Sequence, residues 1–564
     1  MRSRRITTWV AGLCVVTLLG AHDVPAQGSP RPVESAVTDS SVAHTLRLLT
    51  ETGHHPYLTW PDYPNYRDEL EELYEPGGYD LLWFENGKAT NQGGEVVEAL
   101  LEASTHGLDP GDYDAEAIAE HVAALTRDRD PDGSKLALVD AALSVGFLRY
   151  LSDLHIGRVN PKNLSFGFNI EDKKLDLAAV VKTAIERDEI NETLARVEPG
   201  FPQYERMRQV LAEYRDLAGR DLPRVPEAAT VHPGDEYAGT AELQALLVAI
   251  GDLAPGSPAA GSTYDGALVE GVEHFQARHG LDVDGTIGKA TFAELNTPIA
   301  DRVHQIELAL ERLRWLPDVL DEPVAVVNVP AFELWALDPS RPGDRIALEM
   351  RVVVGKAVSK QTPAFQGNMR YVVMSPYWNV PYSIAVNELL PAIKQDPGYL
   401  DSHNMEIVPD FSWEAQARPA TPENLDAVRA GRLNIRQRPG GRNSLGPAKF
   451  IFPNAEAIYF HGTPAHQLFE RTRRDFSHGC IRLENPLGMA DWVLRDQEEW
   501  TSERIEETMH AGSPTRVNLS SPLPVIIFYT TVMADEEQPH FYDDIYGHDD
   551  ALEAALQMGY PYPP

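Results

Sequence analysis

The residues best suited to chemistry lie in one short stretch near the C-terminal end. They are His461, His466, Ser477, His478, Gly479, Cys480 and Arg482. A cysteine attacks a carbonyl as its thiolate, and an ordinary thiol with a pKa of about 8.5 is mostly protonated at neutral pH. A nearby histidine can remove that proton, and backbone amides can bind the oxyanion that forms. The stretch therefore holds a nucleophile, candidate bases and a glycine turn.

The spacing within this stretch suggests a role for each residue type. His461 ends a predicted strand and could reach Cys480 from nineteen residues upstream as a general base. Gly479 permits a tight turn beside Cys480, so the amides of residues 478–480 are candidate oxyanion donors. Arg482 lies two residues after the cysteine, on the same face of an extended strand, where it could meet a carboxylate.

A metal site is the alternative use of these side chains. His461, His466, His478 and Cys480 are separated by five, twelve and two residues. Those spacings match no familiar zinc pattern, and no helical histidine pair accompanies them. The sequence therefore predicts no metal, and nothing in it indicates another cofactor.

The N-terminal segment bears on the cysteine. Residues 1–26 carry arginines, an apolar run (Trp9–Leu19) and a small-residue cleavage pattern, which predicts a secretory signal peptide, followed by a polar leader over 27–41. Of the two cysteines, Cys14 would leave with the signal and Cys480 would remain alone. Exported proteins usually pair their cysteines, so an odd one suggests either intermolecular pairing or a reactive thiol.

Composition excludes some partners. A formal net charge of −36 over 564 residues disfavours nucleic acid and anionic membrane surfaces. No later segment has the length of about 20 apolar residues that a membrane span needs, so we predict no transmembrane segment in the mature chain. At 43% hydrophobic residues, the chain has material for two to four domains with their own cores.

The patterning predicts a multidomain α+β protein. Residues 42–226 carry apolar residues at helical spacing, as in 95–103, 115–125 and 136–151, and read as a helical domain. A compact three-helix unit follows over 237–298. Residues 301–534 begin with a periodic helix and continue as short strands separated by turns, which favours a mostly antiparallel, β-sandwich-like domain.

Two further segments interrupt or follow that β-domain. Residues 376–448 form a long insertion with helical stretches at 384–394 and 422–430, and insertions of this length are commonly lids or binding loops. The acidic tail, 535–564, is predicted as a hairpin and loose surface.

The three-helix unit closely resembles a small peptidoglycan-binding domain. The matching residues are Phe275-Gln276, Gly280-Leu281, Asp284-Gly285, Ile287-Gly288, Thr291 and Leu295-Asn296. The resemblance implies binding of glycan, or a bracing role between neighbouring domains.

The cysteine stretch resembles the L,D-transpeptidase family. Its signature is matched by His461-Gly462-Thr463 and by Ser477-His478-Gly479-Cys480-Ile481-Arg482-Leu483. The resemblance implies that Cys480 is the nucleophile and His461 its base, that His478 and Gly479 shape the loop and oxyanion site, and that Arg482 and Ser477 contact substrate. Gly462 departs from the aspartate found in many members.

The resemblance extends to a large, multidomain Gram-negative branch of this family. Tyr377-Trp378-Asn379-Val380-Pro381 and Asp396-Pro397-Gly398-Tyr399-Leu400 look like its lid, and residues 42–226 like its scaffold domain. Tyr377 and Trp378 are then candidates to contact a peptide stem. Packing of these aromatics within the lid itself is the alternative.

The resemblance implies a periplasmic enzyme that crosslinks peptidoglycan stem peptides. Cys480 would form a thioester with release of D-alanine, and an amine of another stem or of an envelope lipoprotein would resolve it. Water as acceptor would instead make the protein an L,D-carboxypeptidase. A non-catalytic peptidoglycan-binding protein is the third possibility, and these alternatives remain open from sequence.

Overall fold

The structure, a computed structural model, describes residues 33–258, 261–318, 321–343 and 345–559. The predicted signal peptide, Cys14 and the start of the leader lie outside these residues. The helices are α1 (Val33–Thr52), α2 (Arg67–Tyr74), α3 (Asn91–Leu101), α4 (Ala115–Arg127), α5 (Gly133–Ile156), α6 (Leu177–Arg187), α7 (Ile190–Val197), α8 (Pro202–Ala218), α9 (Thr240–Ala249), α10 (Ala267–Arg278), α11 (Lys289–Leu295), α12 (Ile299–Leu313), α13 (Tyr382–Ile384), α14 (Leu390–Gln395), α15 (Tyr399–Ser402), α16 (Pro422–Arg429), α17 (Pro486–Leu494), α18 (Ser502–Met509) and α19 (His548–Leu556).

The strands are β1 (Phe84–Glu85), β2 (Lys88–Ala89), β3 (Val324–Asn328), β4 (Glu333–Leu337), β5 (Ile346–Gly355), β6 (Phe365–Met374), β7 (Trp378–Asn379), β8 (Met405–Val408), β9 (Asn434–Gln437), β10 (Ala448–Ile451), β11 (Phe460–His461), β12 (Asp475–Ser477), β13 (Ile481–Leu483), β14 (Thr515–Phe528), β15 (Val532–Ala534) and β16 (Pro539–Phe541).

The N-terminal region is helical, as predicted. The long helix α5 is buried along most of its length because α1, α3 and α4 pack around it, and apolar residues between 42 and 197 share one core. Helix α8 instead packs on α12, and the buried apolar residues of 156–170 and 201–217 join the core of the β-domain. The helical region thus contributes to two cores, which ties it to the β-domain.

The predicted three-helix unit comprises α9, α10 and α11 around its own small core. It docks on the C-terminal hairpin, where the His279 ring stacks on Phe541 with centroids 5.3 Å apart. Inside the unit, Arg278 and Asp252 form a buried ion pair at 2.5 Å, and Arg278 also donates to the Tyr214 hydroxyl of α8 at 3.2 Å.

The β-domain is built on a nine-stranded sheet in the order β12-β5-β13-β11-β10-β6-β14-β3-β4. Strand β4 also pairs with β5, so the sheet curls and closes around its apolar interior. Most neighbouring pairs are antiparallel, whereas β11–β13, β5–β12 and β3–β14 are parallel. The predicted α+β class, with a mostly antiparallel β-domain, is confirmed.

The long insertion is a folded unit between two paired strands. It leaves the sheet after β6 and returns at β10, whose ends meet where Met374 lies opposite Ala448. A small sheet in the order β7-β9-β8 and the helices α13 to α16 enclose a separate apolar core. A π-helical turn, Ala385–Leu389, joins α13 to α14.

The C-terminal segment corrects one expectation. The predicted hairpin is present as β15 and β16, but the rest of the tail is not loose surface. Phe541, Ile545 and Leu552 are buried in the core of the β-domain, and the Tyr546 hydroxyl donates to the Gly355 carbonyl at 2.6 Å. Acidic composition suggested solvation, whereas the interspersed apolar residues bind the segment to the sheet.

Helix α1 begins at Val33, within the stretch predicted as a polar leader. Over the residues that the structure describes, no helix combines the length and apolar character needed to cross a bilayer.

Candidate active site

Strand pairing places His461 at the centre of the candidate site. Strand β11 lies between β10 and β13, and His461 stands opposite Lys449 on one side and Arg482 on the other. Phe460 and Ile481, one residue away in each strand, are buried inside the closed sheet. Because side chains alternate along a strand, His461, Lys449 and Arg482 share the outer face.

Cys480 lies on the same face, immediately before β13. The Ile481 amide donates to the Tyr459 carbonyl at 3.3 Å, so Cys480 lies beside Tyr459 and diagonally across from His461. Strand spacing puts such diagonal Cα atoms about 8 Å apart, a gap that a thiol and an imidazole can span. The Sγ atom contacts the Ala457 carbonyl at 3.8 Å and makes no hydrogen bond to His461 in this state. Catalytic pairs often tighten only when substrate binds.

The surroundings of His461 keep its imidazole neutral. Burial, followed by the positive charge of Arg482, lowers its pKa to about 3. Its Nδ1 atom lies 2.5 Å from the Gly462 carbonyl oxygen, which can only accept a hydrogen bond and therefore assigns the N–H to Nδ1. Nε2 is then left as a base.

The thiol is also neutral at rest. Burial raises the pKa of Cys480 above the ordinary thiol value, although Tyr459 and Arg482 favour the thiolate. A neutral thiol beside a neutral imidazole differs from the thiolate–imidazolium pair of many cysteine enzymes. In this arrangement the proton would leave the thiol during attack, so His461 is suited to general-base catalysis.

The loop of residues 477–480 is held by its own side chains. The buried Ser477 hydroxyl donates to the Cys480 carbonyl at 2.6 Å and accepts from the Gly479 amide at 3.1 Å. Gly479 adopts a φ of +115°, which side-chain-bearing residues rarely reach. The predicted turn is thus present, and Ser477 faces into the loop.

One amide of this turn remains available as an oxyanion donor. Thr362 donates to the Gly479 carbonyl at 2.7 Å and so fixes the peptide between Gly479 and Cys480. In a trans peptide the N–H points opposite to the C=O, so the Cys480 amide is directed away from Thr362. Among the described residues, none accepts a hydrogen bond from the Cys480 amide. The Gly479 amide, by contrast, already donates to the Ser477 hydroxyl.

Comparison with known proteins identifies the region that carries this geometry. Residues 322–527 match the model of the L,D-transpeptidase catalytic domain, residues 237–295 a peptidoglycan-binding domain, and residues 68–211 a scaffold domain. Residues 322–527 therefore carry an L,D-transpeptidase catalytic domain. The family and the three domain types expected from the sequence are confirmed.

A curated relative of this chain comes from Haemophilus influenzae and is named a putative L,D-transpeptidase. It is 32% identical over 254 residues, which is 44% of this chain. The match covers 49% of the relative, so the two chains correspond over about half of that protein's length.

The glycine that departs from the L,D-transpeptidase pattern has a steric explanation. A Cβ at Gly462 would lie 2.8 Å from the Pro447 ring, and one at Gly446 would lie 2.5 Å from the Thr463 amide. The base of the insertion therefore packs directly on the backbone that follows His461. An aspartate at position 462 has no room in this chain.

His478 faces the insertion and not the thiol. Its Nε2 lies 3.0 Å from a carboxylate oxygen of Glu388, in the π-helical turn. This contact joins the loop that carries Cys480 to the lid expected in this branch of the L,D-transpeptidases. His478 is thus placed to position the lid.

The two lid aromatics mostly pack within the insertion. The Arg436 guanidinium lies 4.1 Å from the centre of the Tyr377 ring, and Glu406 in turn binds Arg436 at 2.6 Å. Trp378 pairs with Gln437 and packs against the apolar core of the insertion. The structure therefore does not bring these two rings together with Cys480.

The sequence predicted no role for three residues that contact the site. Tyr459 lies beside Cys480, with its ring 5.7 Å from that of His461, and Thr362 orients the Gly479 peptide. Lys449 is the third. Tyr459 and Lys449 had a local signal, since each is a polar residue in an apolar strand on the His461 face. Thr362 had none, because its contact spans 117 residues of sequence.

Within residues 33–258, 261–318, 321–343 and 345–559, no group of three or more histidine, cysteine, aspartate or glutamate side chains is arranged to hold a metal ion.

Proposed function

We propose that this protein is a periplasmic L,D-transpeptidase that forms crosslinks in peptidoglycan through a thioester at Cys480. The observation that carries the proposal is the placement of Cys480 and His461 on one outer face of the sheet, at the base of the insertion. The catalytic-domain and peptidoglycan-binding-domain matches support the substrate class.

The first half of the reaction builds the thioester. His461 Nε2 accepts the thiol proton as Sγ attacks the carbonyl at the L-centre of diaminopimelate in a tetrapeptide stem. The Cys480 amide donates to the oxyanion, which the turn at His478 and Gly479 positions. The tetrahedral intermediate then breaks its C–N bond, and the departing amine of D-alanine takes the proton from His461.

The second half transfers the acyl group to an amine. The acceptor nitrogen attacks the thioester and loses a proton to His461, and the thiolate leaves and is reprotonated. The acceptor is an amine of a second stem or a lysine of an envelope lipoprotein. The insertion excludes water from the thioester, which would otherwise be hydrolysed.

The test uses purified protein and a disaccharide tetrapeptide, with products separated by mass spectrometry. We expect a crosslinked dimer and free D-alanine from the wild type and neither from Cys480→Ala. A wild type that forms no thioester, or a Cys480→Ala variant that still forms dimer, would refute the proposal. Tripeptide without dimer would identify an L,D-carboxypeptidase instead.

A further inference from the structure

Two cations flank His461 on the outer face of the sheet. Lys449 on β10 and Arg482 on β13 are the strand partners of His461 on its two sides. Strands about 4.8 Å apart place the Cα atoms of the two cations about 10 Å from each other. Both side chains are long enough to converge above the imidazole.

Neither cation is neutralised by the protein. Among the described residues, no carboxylate forms an ion pair or hydrogen bond with Lys449, and burial lowers its pKa. The Nε atom of Arg482 is buried and has no hydrogen-bond partner. Charges held away from water are normally paired, so two half-buried, unpaired cations in a chain with a net charge of −36 need a reason.

The charges of Lys449 and Arg482 also act on His461, which lies between them. Arg482 and Lys449 both lower its pKa, and no acidic side chain opposes them. An arginine and a lysine on the two sides of one position can together bind an oxyanion such as a carboxylate there.

We propose that Lys449 and Arg482 form a subsite for the free α-carboxylate of the residue that leaves the donor peptide. This inference rests on the proposed function, in which His461 protonates the departing amine. In an amino acid the carboxylate carbon is two bonds from the amine nitrogen. A leaving residue whose nitrogen is beside His461 must therefore place its carboxylate close to the two cations.

The subsite would determine specificity. A donor whose scissile bond is followed by a terminal residue offers a carboxylate, whereas an internal peptide bond offers a neutral amide. Lys449 and Arg482 would then restrict the enzyme to exchange of a C-terminal residue.

The first test needs no turnover. Cys480 is alkylated by iodoacetate, which carries a carboxylate, and by iodoacetamide, its neutral analogue, with the modified site identified by peptide mapping. We expect the rate ratio of iodoacetate to iodoacetamide at Cys480 to exceed that of an unstructured cysteine peptide by about 10-fold, the effect of a charge-assisted contact. Lys449→Met should return the ratio towards the peptide value, and Lys449→Arg should preserve it.

Controls separate the subsite from general effects. Arg516 continues the same row of residues through Val373 but lies three strands from His461, so Arg516→Met should leave the ratio unchanged. The iodoacetamide rate of each variant reports folding and thiol reactivity. A wild-type ratio equal to that of the peptide, or a ratio unaffected by Lys449→Met, would overturn the subsite whether or not the protein crosslinks peptidoglycan.

The second test identifies the carboxylate. We expect amidation of the terminal D-alanine of a tetrapeptide to raise KM about 10-fold for the wild type and to have little effect on Lys449→Met. Amidation of the side-chain carboxylate of diaminopimelate should affect both proteins equally. An effect confined to the side-chain amide would overturn the assignment to the leaving residue. A protein that shows the alkylation preference but forms no thioester would refute the proposed function and leave the anion subsite standing.

Discussion

At the scale of single residues, the site is governed by burial. The imidazole of His461 and the thiol of Cys480 are both neutral, because a partly dry environment with two nearby cations disfavours the imidazolium. The positive charge of Arg482 favours the thiolate but is outweighed by burial of the thiol, so no thiolate is present before attack. His461 therefore accepts a proton only as attack proceeds.

The pKa of His461 predicts an unusual pH profile for acylation of Cys480 by the tetrapeptide donor of the proposed reaction. A base with an ordinary pKa of 6.5 is neutral in only about 1% of molecules at pH 4.5, whereas a base with a pKa of about 3 remains neutral there. The acylation rate should therefore fall less than about 2-fold between pH 7 and pH 4.5. Stopped-flow fluorescence or mass spectrometry measures the rate.

Circular dichroism at each pH serves as the control for acid unfolding. His461→Asn should reduce acylation about 100-fold or more at every pH in this range, since the base is lost. A one-proton decline centred near pH 6.5 in folded wild-type protein would contradict the neutral, buried imidazole.

At the scale of elements, the insertion is coupled to the nucleophile at two points. Its base packs on Gly462 through Gly446 and Pro447, a contact too close for side chains. Its π-helical turn reaches His478 through Glu388, next to the cysteine loop. The extra residue of a π-turn shifts the side chains that follow, and such turns are frequent at functional sites. The close contact at Gly462 anchors the lid, whereas the contact between His478 and Glu388 can break.

We expect Glu388→Ala to weaken closure of the lid. Both side chains are partly exposed, so the lost contact is worth about 0.2–1 kcal/mol and shifts the closed population by up to about 5-fold. The ratio of hydrolysed tripeptide to crosslinked dimer should rise by a similar factor, because water reaches the thioester more often.

Glu414→Ala is the matched control, since Glu414 is an exposed glutamate on the same insertion. Chromatography of the products measures the ratio for both variants. An unchanged ratio in Glu388→Ala would show that the contact with His478 does not govern water access.

At the scale of the whole molecule, the helical region is tied to the β-domain by a buried carboxylate. Glu311 of α12 accepts from the amides of Arg158 at 2.5 Å and Val159 at 3.0 Å, and its side chain lies 3.4 Å from Arg314. Gly157 has a φ of +81°, and a Cβ there would meet Glu311 at 2.7 Å. The chain after α5 therefore fits closely around this carboxylate.

Removal of this carboxylate should destabilise the protein strongly. Glu311→Ala removes the buried acceptor of two backbone amides and the carboxylate beside Arg314, which costs about 3–5 kcal/mol of unfolding free energy. Glu213→Ala, an exposed position on α8, should change stability by less than about 0.5 kcal/mol.

Chemical denaturation followed by fluorescence compares the two variants with the wild type. A loss for Glu311→Ala no larger than that for Glu213→Ala would show that the helical region and the β-domain are coupled by apolar contacts alone.

The features that could be predicted from the sequence differ in a physical respect from those that could not. Local patterns determined what depends on neighbours in the chain: helices such as α3 and α11, the strands around the site, and the short motif with Cys480, Gly479 and His461. The apparent looseness of the acidic tail was misleading, because burial of Phe541 and Leu552 is decided by distant partners.

Only the tertiary structure decided which side chains meet. Strand register placed Lys449 and Arg482 on either side of His461. Folding also brought His478 to Glu388 and Thr362 to the Gly479 peptide. The Arg436 guanidinium holds the Tyr377 ring within the insertion, and Trp378 packs on a core that forms only when the insertion folds. The sequence by itself therefore determined the chemical groups of the site, and the pairing of distant strands decided their arrangement, because a one-residue change of register reverses the face of every side chain.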